Sequence, residues 1–111
     1  MVNIKTFSAF ALSFPETTEQ PHFEKTSFRV NKKIFATLDI KKDIACLMLS
    51  EIDQSVFSAY DKTVIYSVPN KWGKKGATYF ELKKVRKTML KDALVKAYRR
   101  VAPAKLSALL Q

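Results

Sequence analysis

The 111 residues, 47% apolar and 27% charged with only two glycines and four prolines, have the composition of one globular core and exclude a disordered chain; a single domain over residues 1–111 is predicted. One cysteine excludes an intrachain disulfide, one histidine excludes a multi-histidine metal site, and no apolar run approaches the ~20 residues of a membrane helix. The formal net charge of +10 lies entirely beyond Asn70: residues 1–70 carry eight basic and eight acidic side chains, residues 71–111 carry twelve basic ones against Glu81 and Asp92.

Along the chain, Ile4, Phe7, Phe10, Ala11 and Phe14 recur at helical spacing behind Asn3, a competent N-cap, and Pro15 ends the helix they predict. The helical spacing, with no basic leader and no unbroken apolar stretch, argues against a signal peptide, and the unpaired Cys46 fits a reducing cytoplasm. Glu16 to Gln20 is predicted as a loop, and Pro21, His22 and Phe23 lead into the first strand. Ser27 to Val30 and Lys33 to Leu38 should form an antiparallel hairpin across Asn31-Lys32, since Asn tolerates the left-handed backbone of a two-residue turn. In the second of these strands Ile34, Ala36 and Leu38 should share one face, with Phe35 and Thr37 on the other.

Ile44 to Leu49 is apolar on both faces and predicts a central strand in which Cys46 is a small buried hydrophobe. Ser50 with Asp53 starts a short helix whose buried face should be Ile52, Val56 and Ala59. Thr63 to Val68 and Ala77 to Leu82 are further strands. Thr88 to Val101 is the strongest helix, with Leu90, Ala93, Leu94, Ala97 and Val101 on one stripe; Pro103 breaks it and Lys105 to Leu110 adds a last turn or two. The fold class is α+β: a mainly antiparallel sheet of about five strands packed against an N-terminal and a long C-terminal helix, its other face, with Arg29 and Thr37, open.

The chemistry concentrates in Val68 to Leu82, VPNKWGKKGATYFEL. This run holds the single tryptophan, Trp72, and both glycines, Gly73 and Gly76, among Lys71, Lys74 and Lys75. It predicts a strand-to-strand loop that displays an aromatic ring among ammonium groups, a surface suited to an anion, with the glycines admitting backbone N–H groups to a phosphate. The plain alternative is a hairpin loop kept soluble by its lysines. GKKGAT lacks the spacing and the ending of a Walker loop. Trp72 either stacks on a base or anchors the loop by packing.

Lys83, Lys84, Arg86 and Lys87, with Arg99 and Arg100, extend the basic surface; the alternative is a solvated helix face. Contacts from such residues would neutralise phosphates with little sequence preference, giving weak, salt-dependent binding. His22 could line a sheet-face pocket with Arg29 and Trp72, or serve as a structural histidine. No nucleophile and base pair stands out and Glu24 has no second carboxylate, so no enzyme, metal or cofactor is predicted.

The order of motifs resembles the bacterial MmcQ/YjbR family. The matching pieces are Pro21-His22-Phe23, SFRVNKKIFATLD from Ser27 to Asp39, VPNKWGKKGATYFEL, and YRRVAPAKL from Tyr98 to Leu106, and together they span nearly the whole chain. The resemblance implies a small α+β sandwich similar to a double-wing DNA-binding module, and members described as probable DNA-binding proteins. Two positions depart from the family: a Trp commonly follows the second glycine, here Ala77, and a basic residue commonly follows the tail proline, here Ala104.

The expectation is a monomeric, cytoplasmic, non-enzymatic binder of nucleic acid, DNA before RNA, without membrane contact. The alternative is a module for an anionic small molecule or an acidic protein partner, bound through the sheet-face pocket.

Overall fold

The computed structural model describes residues 2–110. Helix α1, Ile4–Leu12, starts where the Asn3 carboxamide oxygen accepts from the Thr6 amide at 2.7 Å, and it buries Phe7 and Ala11. Six antiparallel strands follow in the spatial order β1-β2-β3-β4-β6-β5: β1 Thr17–His22, β2 Lys25–Val30, β3 Lys33–Asp39, β4 Ile44–Met48, β5 Ile65–Ser67 and β6 Ala77–Glu81. The central position of β4, between β3 and β6, matches its two-faced apolar sequence.

The β2–β3 turn holds Asn31 at φ 51 and Lys32 at φ 67, both left-handed as a two-residue hairpin turn of matching twist requires. The remaining helices are α2 Glu51–Ser58, the single turn α3 Lys71–Lys74, α4 Lys87–Val101 and α5 Ala104–Ser107. Leu90, Ala93, Leu94, Ala97 and Tyr98 of α4 are buried on one face of the sheet with Phe7, Phe28, Phe35 and Phe80. Tyr98 stacks on Phe14 at 4.8 Å and donates its hydroxyl to the Pro15 carbonyl at 2.7 Å, which ties the segment after α1 to α4.

Three expectations are corrected. Residues 17–20, expected as loop, belong to β1, which pairs with β2 from Thr17↔Val30 to His22↔Lys25. A polar edge strand has no apolar face to bury and so shows no alternation; Glu19 and Pro21 are residues that protect an edge from further pairing. In β3, Phe28 opposes Ala36 and Arg29 opposes Ile34, so Phe35 is the extra residue of a bulge. Phe35 therefore joins Ala36 in the main core, edge-on to Tyr98 at 5.6 Å, and Ile34 moves to the opposite face. In α2, Ile52 and Val56 are 76% and 53% exposed and Ala59 is exposed too, whereas Phe57 is buried against Phe80.

The second sheet face carries a smaller apolar cluster of Cys46, Val68 and Ala77, with Met48 and Tyr79 packed on it. Thr37 lies there too but is buried, beside Cys46.

Candidate functional site

Residues 68–76 connect β5 to β6, and the backbone is tightly held. The Val68 amide donates to the Ala77 carbonyl at 3.1 Å, and the Asn70 carboxamide oxygen caps α3 by accepting from the Trp72 amide at 2.9 Å. A Cβ on Gly73 would lie 1.7 Å from the Val68 carbonyl oxygen. Gly76 sits at φ +112, and a Cβ there would lie 1.8 Å from the Leu49 carbonyl oxygen. Both glycines are therefore demanded by close backbone approach. The Gln54 side-chain amide adds a brace from α2, donating to the Gly73 carbonyl at 2.9 Å and to the Ala77 carbonyl at 3.0 Å.

The same bonds close off the phosphate-cradle idea. The amides of Gly73, Lys74, Lys75 and Gly76 all donate to carbonyls inside the turn, at 3.0 to 3.4 Å, so these four are not turned toward an anion. Trp72 is presented rather than packed away: it is 56% exposed, with the Lys71 and Lys75 ammonium groups 5.8 and 5.5 Å from its ring centre.

Beside the indole lies an open groove of about 360 Å³ lined by Lys33, Ile34, Met48, Trp72, Lys75, Ala77, Arg100 and Val101. Five elements converge on it, Ala77 being the first residue of β6. Lys33 and Ile34 come from the start of β3, Met48 from the end of β4, Trp72 and Lys75 from the α3 turn, and Arg100 and Val101 from the end of α4. Apolar groups line it together with three cations, and no carboxylate is among its lining residues. Arg100 reaches the Lys75 carbonyl at a long 3.4 Å, which joins α4 to the α3 turn. Its place in the last turn of α4 is also favourable for a cation, near the negative end of the helix dipole.

The other basic residues do not share this groove. Lys71 and Lys74 line a separate, wider depression of about 750 Å³ with Glu51, Gln54 and Asn70. Lys83 pairs with Asp43 at 3.5 Å and Lys84 with Glu81 at 3.7 Å, both beyond the far end of β6, a strand of five residues or about 17 Å. Arg86 lines a hollow with Lys84, Tyr60 and Asp61, and Lys87 opens α4 at its N-terminal end. Arg99 turns to the Leu110 carbonyl at 3.4 Å. The basic sequence thus divides between two ends of the molecule.

His22 and Arg29 are not among the residues lining the Trp72 groove. His22 pairs in register with Lys25 next to the β1–β2 turn, its ring edge-on to Phe23 at 4.8 Å. Arg29 lies at the other end of β2, opposite Ile34, and its Nε donates to the Ser27 hydroxyl at 3.0 Å. Sequence reasoning missed Lys33, Ile34, Met48 and Val101. The paired lysines at 32 and 33, placed at a predicted hairpin turn, were the available signal for the first of them.

A second hollow, about 260 Å³, lies on the same sheet face between Lys25, Thr37, Asp39, Lys42, Ile44, Cys46, Tyr66 and Tyr79. Burial pushes the Cys46 thiol up to about 11, which keeps it neutral and poorly nucleophilic. The Tyr66 hydroxyl donates to Glu81 Oε2 at 2.6 Å, and that bond is the main cause holding its phenol up to about 12. Among the described residues no group of three or more His, Cys, Asp or Glu could hold a metal ion, and no helix is long and apolar enough to cross a membrane.

The YjbR family model matches residues 12–100. The crystal structure of the Deinococcus radiodurans protein DR2400, a DUF419 domain, is similar with a TM-score of 0.72 and 17% identity, over 88% of this chain and 77% of that one. No curated protein matches.

Proposed function

The chain belongs to the YjbR family, and from the groove beside Trp72 we propose that it is a non-enzymatic, cytoplasmic nucleic-acid-binding protein, of DNA before RNA, that works mainly through phosphate contacts. One observation carries this: Lys33, Lys75 and Arg100, from three separate elements, meet around an exposed indole with no carboxylate lining the groove. Cations gathered in this way attract a polyanion, and a half-exposed aromatic ring beside them offers a surface on which a base can stack. The lining residues include no nucleophile with a neighbouring base, which favours binding over bond-breaking chemistry. Lys71 and Lys74, on the adjoining side of α3, widen the cationic surface. The double-wing likeness implied by the family resemblance agrees with this role.

Fluorescence-anisotropy titration with labelled DNA and RNA across a salt series tests the proposal. Micromolar or tighter binding near physiological salt, weakening steeply as salt rises, is the expected outcome. Equal binding to every polyanion, and only at low salt, would reduce the +10 charge to a nonspecific surface property and overturn it.

A further inference from the structure

We infer that the Trp72 groove takes one unstacked nucleotide, its base against the indole and its phosphate among Lys33, Lys75 and Arg100, so that the preferred target is single-stranded nucleic acid or a free nucleotide rather than a duplex. This rests on the nucleic-acid reading and narrows it. A basic patch alone suits duplex phosphates, but this groove has an apolar component that duplex phosphates do not use. Ile34, Met48 and Val101 are partly exposed in it beside a tryptophan that is 56% exposed, and the flat indole favours a partner with a flat apolar face.

A volume of about 360 Å³ stands at the lower end of the range for small-molecule sites, about 300 to 1,000 Å³, and suits one nucleotide. Within a duplex both faces of each base are already stacked and its edges paired. In a single strand the faces are available at little cost, and aromatic platforms beside a cationic track are the usual means of holding them. The Lys71 and Lys75 ammonium groups lie over the indole, 5.8 and 5.5 Å from its centre; a base that stacks there displaces these flexible side chains to its edges, where they meet its neighbouring phosphates.

Trp72 is the only tryptophan of the chain, so its emission reports on this groove directly. The full chain is titrated at one fixed salt concentration with a ten-nucleotide single strand of DNA, the matching duplex, and adenosine monophosphate, following both intrinsic fluorescence and anisotropy. The single strand should quench Trp72 and bind about ten-fold more tightly than the duplex, the scale of one stacked base. Trp72→Ala should lower single-strand affinity to the duplex level, Trp72→Phe should retain most of the preference, and Lys33→Glu should weaken binding while circular dichroism stays unchanged. Quenching by the free nucleotide as strong as by the strand would identify a free nucleotide as the source; quenching by the strand alone would identify a chain. Duplex binding as tight as single-strand binding, with unchanged emission, would overturn the inference and leave the nucleic-acid reading standing. Absence of binding to all three would remove both.

Discussion

Tyr66 and Cys46 share the hollow on the second sheet face, and both stay neutral longer in the folded chain than in the unfolded one. Cys46 rises from an ordinary 9.0 to about 11, mainly by burial, and Tyr66 from 10.0 to about 12, mainly through its bond to Glu81. Above pH 9 the unfolded thiol releases its proton first, and above pH 10 the unfolded phenol does. The folded state then binds more protons, so raising the pH favours unfolding. The stabilisation is complete below pH 9 and is lost between 9 and 12. Tyr66→Phe should cost about 0.5 to 1.5 kcal/mol at neutral pH, the range for one hydrogen bond, and should flatten the upper part of the alkaline decline. Urea denaturation at pH 7, 10 and 11.5 checks this; parallel pH profiles for the two proteins would contradict the assigned role of the Glu81 bond.

At the scale of elements, α2 shows how a helix can be recognised and its orientation misjudged. Ser50 caps it as its sequence indicates, accepting from the Asp53 amide at 3.0 Å. Its eight residues offer two apolar stripes, Ile52 with Val56 and the lone Phe57, and an eight-residue periodicity cannot decide between them. Gln54 decides it. To brace the Gly73 and Ala77 carbonyls it must face the α3 turn, and Phe57, three residues on, shares that side and goes inward. Phe57→Ala should therefore destabilise by about 3 to 5 kcal/mol and Ile52→Ser by no more than about 0.5. Equal losses in thermal or urea unfolding would mean that the exposed stripe is covered in solution. The β3 bulge is a second case: one extra residue sends Phe35 inward and Ile34 to the groove, and no local propensity distinguishes that from regular alternation.

For the molecule as a whole, the placement of charge matters more than its sum. The basic residues that follow Asn70 lie in one stretch of sequence, but β6 and α4 separate them, leaving Lys75 with Arg100 at one end and Lys83 with Lys84 at the other. The latter two already have acidic neighbours, in exposed pairs worth about 0 to 1 kcal/mol each. Lys75→Glu with Arg100→Glu should lower nucleic-acid affinity at least about ten-fold and reduce the salt slope by roughly 0.7 to 0.9 for each phosphate no longer neutralised. Lys83→Glu with Lys84→Glu should change affinity by no more than about three-fold, because long-range attraction at physiological salt is screened within ~8 Å. The two double variants, titrated side by side, test the division; equal losses would mean that the whole basic segment acts as one diffuse surface.

What depends on neighbouring residues was determined by the sequence itself: the Asn31-Lys32 turn, the two-faced central strand at residues 44–48, the apolar stripe of α4 and the special backbone around Gly73 and Gly76. Each follows from steric, capping or periodic preferences acting over a few residues, save that the approach of the Leu49 carbonyl to Gly76 is a tertiary contact. The pairing of polar β1, the inward side of α2, the bulge in β3 and the meeting of Lys33, Trp72 and Arg100 were decided only by tertiary structure. Hydrogen-bond register and packing between separate elements set those features, and the same residue types in the same order carry no local mark of them.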